Sequence, residues 1–153
     1  MRELGIDHPF VQDNHSHSAH GVVRGLHVQA GGGQAKIVRC ARGRIFDVVV
    51  DVRPPSPRFG MYQTVILDDV NHRQMYIPVG FAHGFAVLSD AGADVTYRCS
   101  SYYDAGAELT IAHDDPAIGI EWPSAQRHLS ARDADAPCLA DIRDALVFGY
   151  RTG

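Results

Sequence analysis

The sequence predicts an all-β domain, because apolar runs of strand length alternate with turn signals and helical spacing is scarce. Clusters of Gly, Pro, Asp and Asn separate the runs about every ten residues, a rhythm typical of a sandwich, barrel or jelly roll. Seven such runs are predicted to be strands: 34–40, 45–52, 61–67, 74–79, 85–88, 95–99 and 109–112.

Two segments refine this prediction. The run 45–52 is apolar except for Asp47 and Asp51, which is typical of a strand buried on both faces for much of its length. Only 138–148 has helical spacing, so we expect a small C-terminal helix there. Its apolar side would carry Leu139, Ile142, Leu146 and Val147.

Length, charge and cysteine content limit the classes of protein to which this chain can belong. A length of 153 residues without a linker or repeat predicts a single domain over 1–153. No apolar run is long enough to cross a membrane and the first residues do not resemble a signal peptide, so we expect a cytoplasmic protein. A net charge of −4 with scattered arginines argues against nucleic-acid binding. Three cysteines without a Cys-x-x-Cys spacing predict reduced thiols rather than disulfides or a zinc site.

The segment 77–85 (IPVGFAHGF) places His83 after a tight Pro–Gly turn, in the order Pro-x-Gly-x-x-His. This order resembles the second motif of the cupin superfamily, whose first motif supplies His-x-His and a glutamate to a metal. The matching place here offers His27, Val28 and Gln29, without a glutamate. A catalytic metal usually takes three or more protein ligands, so we expect neither a metal nor another cofactor. A metal-dependent cupin oxygenase or isomerase remains the alternative, and His83 could also be a histidine satisfied inside a barrel.

Ordered sequence blocks narrow the resemblance further. From Phe10 to about Leu139 the chain resembles the dTDP-4-dehydrorhamnose 3,5-epimerase family, a resemblance that implies a cupin-type jelly roll, or double-stranded β-helix barrel. The blocks, in chain order, are QDNHS (12–16), VVRGLH (22–27), KIVR (36–39), FDVVVDVR (46–53), SPRFG (56–60), RQMYIPVGFAHGF (73–85), YRCSSYY (97–103), DDPAIGIEWP (114–123) and LSARDADAP (129–137).

The resemblance implies an isomerase acting at C3, C5 or both of a dTDP-4-keto-6-deoxyhexose, in rhamnose or natural-product deoxysugar biosynthesis. Such an enzyme removes a proton beside the ketone, stabilises the enolate and returns a proton to the opposite face. By position, His27 matches the family's base and Asp133 the carboxylate paired with it. Lys36 matches the lysine that stabilises the oxyanion, and Tyr97 matches the opposing acid.

Three of these residues also have an ordinary structural interpretation, whereas His27 is the one of the four least readily explained as incidental. Asp133 lies in the polar stretch SARDAD and could be a solvated turn residue. Tyr97 could be a packing aromatic with a hydrogen-bonded hydroxyl. Lys36 follows a Gly-rich turn and could lie on the surface.

The resemblance also implies residues that bind the substrate. Arg24 and Arg132 would contact the pyrophosphate. Gln12 and Asn14 would contact the nucleotide, and the ring of Tyr103 would stack on the thymine. His83 would line the sugar pocket. The nearby His15, His17 and His20 match a loop of the family and are expected to be mostly solvated.

One departure from the family concerns the N-terminus. The family usually carries a further section before the block at 12–16, with an Arg-Gly-Phe-Phe type strand that contacts nucleotide, often across a dimer interface. We therefore expect a homodimer, and either a start that lies further upstream or an N-terminally short variant with altered or lost binding. A non-catalytic sugar-nucleotide binder is a third hypothesis, because some substrate contacts would then be missing.

Overall fold

The computed structural model describes residues 5–6, 9–123 and 127–149. Nine strands dominate these ranges, as the sequence predicts, although two of them lie outside the seven predicted runs. They are β1 (Gln12–Ser18), β2 (Val23–Gln29), β3 (Lys36–Arg42), β4 (Arg44–Asp51), β5 (Tyr62–Asp68), β6 (Gln74–Ile77), β7 (Phe81–Val87), β8 (Ala93–Cys99) and β9 (Glu108–Thr110).

The strands form two antiparallel sheets that face each other as a jelly-roll sandwich. The four-stranded sheet has the order β1-β8-β3-β6, and the five-stranded sheet has the order β5-β4-β7-β2-β9. Apolar side chains from both sheets, such as Val38, Val95, Ile45 and Phe85, pack between them in one cluster. The predicted all-β fold is confirmed.

The five-stranded sheet is buried on both faces. A second cluster covers its outer face, where Val48 and Val50 of β4 pack with Trp122, Leu139 and residues of the C-terminal segment. The alternate residues of β4 face the four-stranded sheet. This double burial explains the nearly continuous apolar run at 45–52, as the sequence predicts.

The C-terminal helix differs from its prediction. Leu139–Ala145 forms a 3₁₀ helix, and Leu146 follows it as a buried residue. Three residues per turn place Leu139 and Ile142 on one side, whereas Val147 is 65% exposed rather than part of the apolar face. A further helical turn, α1 (Ala131–Ala134), was not predicted, because four polar or small residues carry no helical pattern.

The expectation of a loop around His15 and His17 is wrong, although both side chains are more than half exposed. Both residues lie in β1, which pairs with β8 in an unbroken register. The strand was missed because its inward side chains, Gln12, Asn14 and Ser16, are as polar as its outward ones. Hydrophobic alternation therefore gives no signal there.

None of the described helices is long and apolar enough to cross a membrane.

We predict that Leu146→Ala lowers the free energy of unfolding by about 2–5 kcal/mol, because the buried side chain seals the outer face of the five-stranded sheet. Its neighbour provides the matched control. Val147→Ala truncates an exposed side chain and should change stability by less than about 0.5 kcal/mol. Urea unfolding of both variants measures the difference, and equal losses would contradict this view of the segment.

Candidate active site

A β-bulge in β2 places two predicted site residues on the same face of the sheet. Arg24 is opposite Phe85 and His27 is opposite His83, so β2 uses three residues where β7 uses two. Without the extra residue, Arg24 and His27 would point to opposite faces. The bulge therefore brings both side chains to the inner face, toward the four-stranded sheet.

Gly25 makes the bulge sterically feasible. Its φ is +104°, and a Cβ there would lie 2.6 Å from the carbonyl oxygen of His83 and 2.8 Å from the Cα of Gly84. A side chain is therefore excluded by both conformation and space. The backbone N–H of Gly25 donates a hydrogen bond of 3.1 Å to Oδ2 of Asp133, so the same bulge also anchors the carboxylate.

His27 and Asp133 are in direct contact. The Nε2 atom of His27 lies 2.7 Å from Oδ1 of Asp133, whose side chain is only 4% exposed. The two residues are 106 positions apart in the sequence and meet because α1 packs against β2. Asp133 is therefore a buried partner of an imidazole, not a solvated turn residue.

Local hydrogen bonds fix the Asp133 carboxylate as an acceptor. Ser130 caps α1 by accepting a hydrogen bond from the backbone N–H of Asp133. Burial alone would raise the pKa of Asp133. The hydrogen bond and charge of His27, the Gly25 N–H and the charge of Arg132 outweigh burial, and the pKa is lowered. Asp133 is therefore ionised at neutral pH.

The hydrogen-bond network places a proton on His27. Nε2 lies 2.7 Å from the Asp133 carboxylate and 3.0 Å from Nη2 of Arg132, and one nitrogen cannot donate to the first and accept from the second. The shorter contact to an ionised carboxylate assigns an N–H to Nε2. The unprotonated Nδ1 has no hydrogen-bond partner within the described ranges, so it is available as a base.

A second imidazole–carboxylate pair lies on the neighbouring strands. His83 is the direct cross-strand partner of His27, and its Nε2 lies 2.8 Å from Oδ2 of Asp47 on β4. Asp47 is fully buried, and His83 is 9% exposed. His83 thus faces the same space as His27, with its orientation fixed by a carboxylate.

Lys36 and Tyr97 occupy the facing sheet. They lie on β3 and β8 with inward register, and the Lys36 Nζ is 5.9 Å from the centre of the Tyr97 ring. Desolvation by burial lowers the pKa of Lys36, although nearby acidic groups partly offset it. Burial also raises the pKa of Tyr97, which keeps its phenol protonated at neutral pH.

Tyr103 and Arg132 meet at the rim of the cleft, which is the space between the inner faces of β2 and β7 on one sheet and of β3 and β8 on the other. Both donate to one oxygen of Glu108, with the Tyr103 hydroxyl at 2.9 Å and Nη1 of Arg132 at 2.6 Å. The pKa of Arg132 is raised chiefly by its hydrogen bond to Glu108. The half-exposed ring and guanidinium are thus held side by side.

The two polar residues of β1 connect to this rim. Oε1 of Gln12 accepts from the backbone N–H of Tyr103, and its amide nitrogen donates to Asn14. The Asn14 amide in turn approaches Sγ of Cys99 at 3.5 Å. Both side chains face inward from the sheet edge.

Arg24 lies at the mouth of the cleft. Its Nε donates a 2.8 Å hydrogen bond to Ser18. Within the described ranges its two terminal nitrogens have no partner, so they are free to bind an anion. The structure therefore brings all ten predicted site residues to the inner face or the rim of one cleft.

Sequence reasoning missed two acidic residues of this cleft. Glu108 lies one residue before the predicted strand run 109–112, and β9 is only three residues long, too short for a hydrophobic pattern that would identify its inward side chain. Asp47 did give a signal, since it is a charged residue within an apolar strand, but nothing in the sequence identified His83 as its partner.

The side chains do not fit a catalytic metal. His27 and His83 are the two described imidazoles of the cleft, whereas a catalytic metal usually takes three or more protein ligands. In the part of the chain that the structure describes, no three His, Cys, Asp or Glu side chains converge as a metal site would require.

We predict that Gly25→Ala lowers the free energy of unfolding by roughly 1–3 kcal/mol. The alanine Cβ would collide with the backbone of β7, and alanine disfavours the positive φ that the bulge requires. Gly32→Ala is the control, since a Cβ at Gly32 meets nothing within 4 Å. Its effect should stay within about 0.5 kcal/mol. Denaturant unfolding compares the two, and a Gly25→Ala protein as stable as the control would refute the role given to the bulge.

Known proteins share this chain's sequence and fold. The family profile of dTDP-4-dehydrorhamnose 3,5-epimerase matches residues 1–141. The dTDP-4-dehydrorhamnose 3,5-epimerase of Salmonella typhimurium is 53% identical over 138 residues, which are 89% of this chain and 75% of that protein. The chain spans only 37% of the relative from Neisseria gonorrhoeae, to which it is 51% identical over 80% of its own length.

A solved structure supports the same relationship. The epimerase of Legionella pneumophila, determined with dTDP-4-keto-L-rhamnose, is 47% identical, with a TM-score of 0.92 over 99% of this chain and 80% of that one. The family predicted from the sequence is confirmed. This chain belongs to the dTDP-4-dehydrorhamnose 3,5-epimerase family.

Proposed function

We propose that this chain epimerises a dTDP-4-keto-6-deoxyhexose at C3, C5 or both. The observation that carries the proposal is the 2.7 Å contact between His27 and the buried Asp133 inside the cleft. An imidazole with one nitrogen held by a carboxylate and the other free is a general base. The relatives act on sugars whose C4 ketone acidifies the neighbouring C–H bonds, which is the proton such a base removes.

In this mechanism Nδ1 of His27 takes the proton from carbon, and Asp133 stabilises the imidazolium that forms. The electron pair moves to the C4 oxygen. Lys36 supplies a cation for that enolate oxygen from the facing sheet, and His83 lines the sugar pocket from the neighbouring strand. Because Tyr97 faces inward from the opposite sheet and stays protonated, it returns a proton to the other face of the ring. The Tyr97 phenolate then regains a proton from solvent, and the His27 imidazolium releases its proton to solvent.

The rim of the cleft would bind the nucleotide half of the substrate. Tyr103 offers a half-exposed ring on which thymine can stack, and Gln12 and Asn14 offer amides for its polar edges. Arg24 and Arg132 would hold the pyrophosphate, since guanidinium groups bind phosphate oxygens in pairs.

We also propose that the substrate is handled by a homodimer of single-domain chains. The outer face of the five-stranded sheet is covered by the C-terminal segment. The outer face of the four-stranded sheet instead bears a depression of about 480 Å³, lined by Ile37 and Thr96 among others. Opposite charges on this face, such as Asp13 and Arg98 at 3.2 Å, suit contact with a second copy.

A cytoplasmic location completes the proposal. Cys40, Cys99 and Cys138 are all free thiols. Unpaired cysteines are typical of a reducing compartment.

Solvent deuterium incorporation tests the proposed reaction. In D₂O, the protein should introduce deuterium at C3, C5 or both of dTDP-4-keto-6-deoxyglucose. His27→Ala should lower that rate by at least about 100-fold, because the base is lost. His128→Ala, which removes an exposed imidazole outside the cleft, is the control and should leave it unchanged.

Each alternative has its own outcome in this experiment. Binding of dTDP-sugar without exchange at either carbon would contradict the epimerase and support a non-catalytic binder. Exchange that depends on stoichiometric added metal would support a metal-dependent cupin. An unaffected rate in His27→Ala would remove His27 from the role of base.

Light scattering after size exclusion tests the dimer. We expect about twice the 16.7 kDa of one chain. Ile37→Glu should give monomers, because it places a charge in the proposed interface, whereas Thr64→Glu on the exposed edge strand β5 should not. A monomeric wild-type protein would contradict the proposal.

A further inference from the structure

Asp47 is a carboxylate in a place where carboxylates are rarely found. It is fully buried in the middle of β4, between apolar neighbours on the same strand. Its Oδ2 accepts from His83, but Oδ1 has no hydrogen-bond partner among the described residues. A buried carboxylate oxygen without a partner is costly, so its retention points to a charge that it serves.

Lys36 on the facing sheet is a cation of the inner faces that interacts with Asp47. Among the described residues, the titratable groups that face the cleft are Arg24 and His27 on β2, Lys36 on β3, Asp47 on β4, His83 on β7, Tyr97 and Cys99 on β8, Glu108 on β9, and Arg132 and Asp133 on α1. Lys36 is the only lysine in the 153 residues. Its ammonium must stay charged to stabilise an enolate, although burial acts against that charge.

Three acidic groups raise the pKa of Lys36 against the effect of burial: Cys99, then Glu108, then Asp47. Burial raises the pKa of the Cys99 thiol, so at neutral pH it is uncharged. Glu108 is already neutralised by the Arg132 guanidinium at 2.6 Å. Asp47 is the one carboxylate of the three groups that is fully buried and has no arginine contact among the described residues.

We propose that Asp47 is a positioning residue of the site, which orients His83 with one carboxylate oxygen and offers the other as the counter-charge for the Lys36 ammonium. The assignment of a catalytic task to Lys36 rests on the proposed function. The electrostatic pairing does not, and it can be measured without substrate. Asp47 touches no reacting atom, so it acts only through His83 and Lys36.

The single lysine makes a direct test practical. Protein labelled with ¹³C at the lysine ε position gives one lysine signal in a 16.7 kDa chain, and its pH titration reports Lys36 without an assignment step. Asp47→Asn keeps an acceptor for His83 but removes the charge. We expect the pKa of Lys36 to fall by roughly one unit, the size of effect that a neighbouring charge produces.

A matched control separates charge from structural damage. Asp115 is also buried, but its two oxygens accept from the backbone N–H groups of Ala117 and Leu139 on the far side of the five-stranded sheet. Asp115→Asn should lower the melting temperature without moving the Lys36 titration. If Asp47→Asn does not fold, Asp47→Ser replaces it, because a hydroxyl also accepts from His83 and needs less room.

The sign of the kinetic effect follows from the charge. Activity that requires protonated Lys36 is lost as the pH rises through its pKa. Asp47→Asn should therefore move the alkaline limb of deuterium exchange to lower pH, in step with the titration, whereas a merely structural role would lower the rate at every pH alike.

An unchanged Lys36 titration in folded Asp47→Asn would overturn the proposal. If the pKa of Lys36 is unchanged in Asp47→Asn but shifts strongly in Glu108→Gln, Glu108 is the counter-charge, and the proposal is likewise overturned. If the wild-type protein does not exchange deuterium into the substrate, the proposed function is contradicted. The titration of Lys36 needs no substrate, so it would still test the pairing of Asp47 with Lys36.

Discussion

The site depends on one buried contact, the hydrogen bond between the His27 imidazole and the Asp133 carboxylate. Removing the imidazole would take from the buried Asp133 carboxylate its shortest hydrogen bond, and a hydrogen bond to a charged group contributes about 1.5–3 kcal/mol. Several local features maintain this contact: the bulge in β2, the N–H of Gly25 and the Ser130 cap of α1. These features position the side chains of the site, which is a separate task from packing the two sheets together.

The two sheets contribute different chemistry. The five-stranded sheet, packed on both faces, carries two imidazoles on adjacent strands, each held by a carboxylate, so both rings have a rigid support. The four-stranded sheet supplies Lys36 and Tyr97 from the other side. A substrate between the sheets would therefore meet a base on one face and a proton donor on the other, which is what inversion at carbon requires.

Much of the fold was readable from the sequence, because strands buried on one or both faces leave a hydrophobic pattern. The strand at 45–52 shows this most clearly. Strand β1 was missed since both of its faces are polar, and the 3₁₀ segment was assigned as a regular helix because Leu139 and Ile142 satisfy either spacing. Hydropathy cannot distinguish these cases.

Some residues of the site could be predicted from local sequence patterns, and others could not. His27 and His83 lie in motifs with unusual residue order, so the sequence singled them out. The position of Asp133 came from a resemblance, since its 106-residue separation from His27 hides the contact from any local pattern. Glu108 and the partner of Asp47 were not predicted, because their roles exist only once distant strands are brought together.

The central claim is that the proton of His27 resides on Nε2 and that Nδ1 is bare. Nitrogen-15 NMR of the imidazole rings at neutral pH measures this directly, with His27→Ala identifying the signal. We expect the Nε2–H tautomer, with a shift at Nδ1 typical of an unprotonated nitrogen. A proton on Nδ1, with Nε2 unprotonated beside Asp133, would contradict this account of the site.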